Sequence, residues 1–146
     1  MILLDTNVIS ELMRPAPETR VVAWVDRLDR NDVGITAITV AEILYGIGAL
    51  PNGARKKNLF EAAATVFDGY LGNHIYPFDR PAAVEYAHVV VKRERDGNPI
   101  SMPDAQIAAI CLANHAGLAT RNTKDFDNTD ITLHNPWVDE LPQEAM

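Results

Sequence analysis

The chain has 146 residues, 47% hydrophobic and 23% charged, a balance that fits one folded domain with a sizeable core and excludes a disordered chain. A single cysteine, Cys111, excludes an internal disulfide, and no apolar run is long enough to span a bilayer, so the expected address is the cytoplasm. A formal net charge of −7 excludes capture of nucleic acid by overall charge, so a polyphosphate partner would need bound divalent cations or local basic clusters. Arg55-Lys56-Lys57, and Lys92-Arg93 with Arg95, are such clusters, although their ordinary role is a solvated helix face.

Met1–Asp5 predicts a strand whose apolar run meets a carboxylate at once, with no basic stretch before it as in a signal peptide. Asn7–Met13 predicts a short helix stopped by Pro15 and Pro17, and Glu18–Leu28 an amphipathic helix with Val21, Val22, Trp24, Val25 and Leu28 on its apolar side. Val33–Thr36 reads as a strand. Thr39–Leu50 reads as a helix with Val40, Ile43, Leu44 and Ile47 at i, i+3, i+4, i+7 spacing. After the turn Pro51-Asn52-Gly53, Ala54–Leu71 is helical along Leu59, Ala63, Val66, Phe67 and Tyr70. Ile75–Phe78 is a weak strand. Pro81–Arg95 and Pro103–His115 are helices, the second closed by Gly117 as its C-cap. Leu118–Thr120 and Ile131–Leu133 are short strands. Alternation of strands with helices predicts an α/β architecture around a mostly parallel sheet covered on both faces. Residues 1–137 make one domain, and the acidic, proline-containing tail that follows, residues 138–146, is expected to be loosely ordered.

Four places break the core pattern with an acid. Asp5 ends the first strand, where a parallel sheet opens its ligand crevice; its ordinary role would be to accept backbone N–H bonds in the next turn. Glu42 in "ITVAEILYG" falls off the apolar stripe, and Thr39-x-x-Glu42 also matches a capping box. Asp104 in "SMPDAQIAAICLANH" heads a row that otherwise looks buried, with Ser101 placed as a cap. Asn122 and Asp125 lie in "ATRNTKDF", a polar loop after a strand. Each of the four follows a strand or opens a helix, so all should converge on one rim of the sheet. Like charges gathered there destabilise the fold unless a cation neutralises them. An all-oxygen ligand set favours Mg²⁺ or Mn²⁺ over zinc, and such a centre performs phosphoryl chemistry.

The stretches "MILLDTNVISELMR", "ITAITVAEILYGI", "PDAQIAAICLA" and "ATRNTKDF" come in the order and spacing of PIN-domain proteins. The chain resembles the VapC toxins of type II toxin–antitoxin modules, in their FitB/StbB-like branch, from Met1 to the "HNPW" ending at Trp137. The resemblance implies a three-layer α/β/α, RNase-H-like fold and a Mg²⁺- or Mn²⁺-dependent ribonuclease that hydrolyses RNA through a metal-activated water. It carries over Asp5, Glu42 and Asp104 as metal-holding acids and Asp125 as a fourth catalytic acid. Thr6, Asn7, Thr120 and Asn122 take supporting places. Many members carry an acid where this chain has Asn122, which leaves a second metal open. The resemblance further implies a homodimer and a VapB-like antitoxin that binds operator DNA.

Arg121 and Lys124 are candidates for seating the substrate phosphate, and Trp24, Leu28 and Tyr45 for partner or dimer contacts, with core packing as their ordinary role. Cys111 and His115 stand four apart on a helix, but two ligands are too few for structural zinc. Two other readings share these residues. One is a weakly or non-catalytic subunit of a DNA-binding repressor complex; the other is a small-molecule phosphatase.

Overall fold

The three residues Ile2-Leu3-Leu4 form β1 (Ile2–Leu4) at the centre of a five-stranded sheet in this computed structural model, which describes residues 1–143. The side chain of Tyr70 and the last three residues of the acidic tail lie outside the described residues. The other strands are β2 (Val33–Thr36), β3 (Ile75–Tyr76), β4 (Gly117–Ala119) and β5 (Leu133–His134), in the order β3-β2-β1-β4-β5 with every pairing parallel. The register sets Ile2 against Val33 and Gly117, and Leu4 against Ala119.

Side chains alternate across a strand, so β1 feeds two cores. Leu4, Val33, Ile35 and Ala119 face one of them. There they meet α1 (Thr6–Leu12), α2 (Thr19–Asp26), α3 (Ala37–Gly48) and α4 (Ala54–Thr65), through Val8, Trp24, Ile43 and Ala63. Leu3 and Leu118 face the other, against α5 (Arg80–Arg95) and α6 (Met102–Ala113), through Val89, Ile107 and Cys111. The result is the expected three-layer α/β/α arrangement. No helix among the described residues is long and apolar enough to cross a membrane.

Several local expectations are corrected. The helix placed at Thr39–Leu50 begins at Ala37, because Thr36 is its N-cap: the Thr36 hydroxyl accepts from the Thr39 amide at 3.0 Å. Glu42 is therefore in the second turn and forms no capping box. Leu44 lies off the buried stripe, exposed, while Ile43 and Ile47 are buried. Gly117 is the first residue of β4 rather than a C-cap: its amide is committed to Met1 O at 3.0 Å, and His115, at φ 52°, takes the left-handed turn instead. The α-helix from Ala54 ends at Thr65 and continues as one π-helical turn, Val66–Tyr70. Trp24, considered as a partner contact, is 2% exposed and belongs to the core; Leu28 packs against the same core, and Tyr45 stands on the surface.

In the described part of the tail, three backbone carbonyls accept from arginines of and beside α2. Arg20 Nη2 donates to Val138 O and Asp139 O at 2.9 and 2.7 Å, and Arg27 Nη1 to Pro142 O at 3.4 Å.

Candidate active site

In a parallel sheet the strand order reverses at a switch point, and the crevice outside the carboxyl ends of those two strands is where ligands bind. Here the reversal falls between β1 and β4. Asp5 leaves the end of β1 and Thr120 the end of β4, and the two side chains meet across the crevice: Thr120 Oγ1 donates to Asp5 Oδ2 at 2.8 Å. Both are buried. Asp5 also caps α1, accepting from the Thr6 amide at 2.8 Å through Oδ1. The ordinary capping role and the crevice position are thus held by one carboxylate through its two oxygens.

Asn7 locks this corner. Its Nδ2 donates to Thr120 Oγ1 at 3.2 Å and lies 3.5 Å from Asp5 Oδ2, while its Oδ1 accepts from the Arg121 amide at 3.1 Å. Thr120 Oγ1 accepts in turn from the Asn122 amide at 3.1 Å. Asn122 thereby enters through its backbone; its side chain is exposed.

Glu42 reaches the same rim from α3. Thr6 Oγ1 donates to Glu42 Oε1 at 2.8 Å and lies 3.2 Å from Thr39 Oγ1, which is fully buried. Thr39 is a site residue that sequence reasoning gave only as a helix start; the signal was the repeat of threonine three apart in "TAIT", one capping and one bracing. Asp104 arrives from the first turn of α6, where Ser101 caps its amide at 3.3 Å. Asp125 sits on the short 3₁₀ turn Thr123–Phe126.

Two of the acids are perturbed, in each case by burial first. Burial raises the Asp5 carboxyl to about 6, against the pull of its Thr120 and Thr6 hydrogen bonds, and the charges of Asp104 and Glu42 push in the same direction. Burial likewise raises Asp104, opposed by its Ser101 hydrogen bond, with Asp125 and Glu42 adding to the rise. Asp5 thus feels the charges of Asp104 and Glu42, and Asp104 those of Asp125 and Glu42. Among the described residues, however, no three His, Cys, Asp or Glu side chains are grouped so as to hold a metal ion as they stand. The carboxylate and hydroxyl oxygens at this rim are donors of the kind that suits a hard cation such as Mg²⁺ rather than zinc.

Of the phosphate candidates, Arg121 lies with its guanidinium carbon 5.1 Å from the centroid of the Trp137 ring, next to Asn7, and Lys124 is exposed on the Asp125 turn. Cys111 is fully buried, its thiol pushed well above its usual range, and belongs to the α5–α6 core as expected.

The PIN domain family model matches residues 2–131. Toxin FitB of Neisseria gonorrhoeae is 43% identical over 95% of this chain and 100% of its own. VapC ribonuclease Y4jK of Sinorhizobium fredii is 36% identical over 94% and 98%. Among solved structures, that of FitAB bound to the IR36 DNA fragment superimposes with a TM-score of 0.89 at 43% identity, covering 96% of this chain and 98% of the other. A sheet opened between β1 and β4, an acidic rim at that opening and likeness over nearly the whole length agree: the chain belongs to the PIN-domain family, in the VapC-type toxin branch that includes FitB.

Proposed function

We propose that this chain is a metal-dependent endoribonuclease, the toxin of a type II toxin–antitoxin module, hydrolysing RNA phosphodiester bonds in the β1/β4 crevice. The observation that carries the reading is the Asp5–Thr120 bridge across the switch point, with the charges of Glu42 and Asp104 acting on Asp5 and that of Asp125 on Asp104. Ribonuclease is also the name of a relative 36% identical to it. Asp5, Glu42 and Asp104 would hold Mg²⁺ or Mn²⁺, with Asp125 at the rim. When bound, such an ion supplies charge for the phosphate oxygens and acidifies a water.

The chain's own residues do the positioning. Thr120 and Asn7 fix Asp5, leaving it acceptor capacity toward the crevice. Thr6, backed by Thr39, fixes Glu42 Oε1. Arg121, lying over Trp137, and Lys124 supply positive charge beside an otherwise acidic rim, where an RNA phosphate needs it. Purified protein given total RNA should cleave it with Mg²⁺ or Mn²⁺ and stop in EDTA, and Glu42→Gln should slow cleavage about 100-fold or more. Equal cleavage in EDTA would overturn the metal. RNA left intact by the parent, with operator binding only beside a partner, would make the chain the non-catalytic repressor subunit instead.

The proposed partner is a VapB-like antitoxin that binds operator DNA, and the proposed assembly is a cytoplasmic homodimer of the toxin. A groove of about 810 Å³ runs outward from Thr6 and Glu42, floored by Ile43, Ile47 and Leu59 with Arg55 at its side. It offers an amphipathic segment an apolar bed that ends at the acids. Gly46 lines this groove, and a Cβ added there meets nothing within 4 Å. Gly46→Trp should therefore keep the fold and fill the groove, weakening antitoxin binding about 100-fold, about 3 kcal/mol. Calorimetric titration with the antitoxin checks this; an unchanged affinity would place the partner elsewhere.

A further inference from the structure

Arg93 belongs to a basic cluster that reads from sequence as a wet helix face, yet it is only 3% exposed. Its guanidinium donates three hydrogen bonds, all to backbone carbonyls: Nε to Asn98 O at 2.6 Å, and Nη1 to Asp125 O and Asp127 O at 2.9 Å each. Among the described residues it has no ion-pair partner within 4 Å. A buried cation held only by neutral carbonyls is expensive unless charge elsewhere compensates it. Its fork satisfies three backbone carbonyls at once, so its role is to hold those backbones.

The three carbonyls come from two different segments. Asn98 lies on the connection that leads from α5 into α6, whose first turn carries Asp104. Asp125 and Asp127 lie on and beside the 3₁₀ turn that carries the fourth acid. One rigid planar fork therefore ties the Asp104 approach to the Asp125 turn. Its donors are directed at the backbones, so the Asp125 carboxylate is not consumed as a partner.

We propose that Arg93 is a positioning residue for the divalent cation, setting the spacing between the Asp104 and Asp125 edges of the site before the ion arrives. This rests on the metal-dependent reading above and adds a residue to it. Loss of partners that orient metal ligands typically weakens metal binding 10- to 100-fold. Arg93→Lys keeps the charge and loses the fork; Arg93→Met loses both.

The test is Mn²⁺ affinity by electron paramagnetic resonance, well below each variant's melting temperature, for parent, Arg93→Lys and Arg93→Met. Both variants should bind about 10- to 100-fold more weakly, and excess Mn²⁺ should restore most of the RNA cleavage lost by Arg93→Lys. In the parent, the Arg93 Nε–H resonance should be protected from exchange and should shift as Mg²⁺ is titrated. That last measurement holds even if neither variant folds. Affinity within twofold of the parent for Arg93→Lys, tighter binding by Arg93→Met, or an Nε–H signal that stays still while other signals titrate overturns the proposal. A parent that binds no Mn²⁺ at all removes the metal reading itself, and this inference with it.

Discussion

Asp5→Asn is expected to abolish RNA cleavage, about 10³-fold or about 4 kcal/mol of barrier, while making the metal-free protein more stable at neutral pH. The two effects share one cause. Burial raises the Asp5 carboxyl from 3.8 to about 6, so the folded state takes up a proton more readily than the unfolded chain. The stability this group contributes is fully present below 3.8 and is lost as pH rises through 6, to a limit of about 3 kcal/mol. Asparagine removes the ionisation. It also turns an amide toward Thr120 Oγ1, which already accepts from Asn7 and Asn122, at a cost of about 1–2 kcal/mol. The net gain at pH 8 is about 1 kcal/mol, or about 2–4 °C. Thermal melts in EDTA should show the variant ahead of the parent at pH 8 and behind it at pH 4. Added Mg²⁺ should raise the parent alone. Undiminished cleavage by the variant, or a deficit that grows with pH, would contradict this account of Asp5.

Asp5 and Asp104 were legible because each breaks a local pattern: one ends an apolar run, and the other heads a buried row. The helix periods and the strand–helix alternation were legible for the same reason, since amphipathic spacing is written within a few residues. Glu42 reached its place by a different route from the one its neighbours suggest. Both Thr36 and Thr39 can cap a helix, and the choice depends on where β2 stops pairing with β3, which is decided by residues 75 and 76. Gly117 looked like a C-cap because Met1, whose carbonyl claims its amide, lies over a hundred residues away. Arg93 looked solvated because the carbonyls that bury it follow it in the chain and come from two loops. The bond between Thr120 and Asp5 spans 115 positions, and no local pattern predicts it. Local rules mark the acids; the sheet order sets Asp5 beside Thr120.

Gly34→Ala is expected to be the most damaging small substitution in the sheet, although alanine in general suits a strand better than glycine. A Cβ on Gly34 would lie 2.5 Å from His74 O and 2.9 Å from the Tyr76 ring. His74 O cannot simply move, because it accepts from the Ile35 amide at 3.0 Å, the bond that leads into the pairing of Ile35 with Ile75. Relieving the clash means parting β3 from β2, at a cost of about 3 kcal/mol and a melting temperature lower by roughly 10 °C. The damage should reach the site, because β2 ends at Thr36, whose cap fixes the start of α3 and, through Thr39 and Thr6, the placement of Glu42. Gly46→Ala is the matched control: the same methyl group, in the interior of α3 with nothing within 4 Å, should stabilise the helix by about 0.5–1 kcal/mol. Paired thermal melts decide the matter through the opposite signs. Equal shifts for the two variants would mean that β3 yields freely, and that the edge of the sheet next to Glu42 is held by something other than close approach of its backbones.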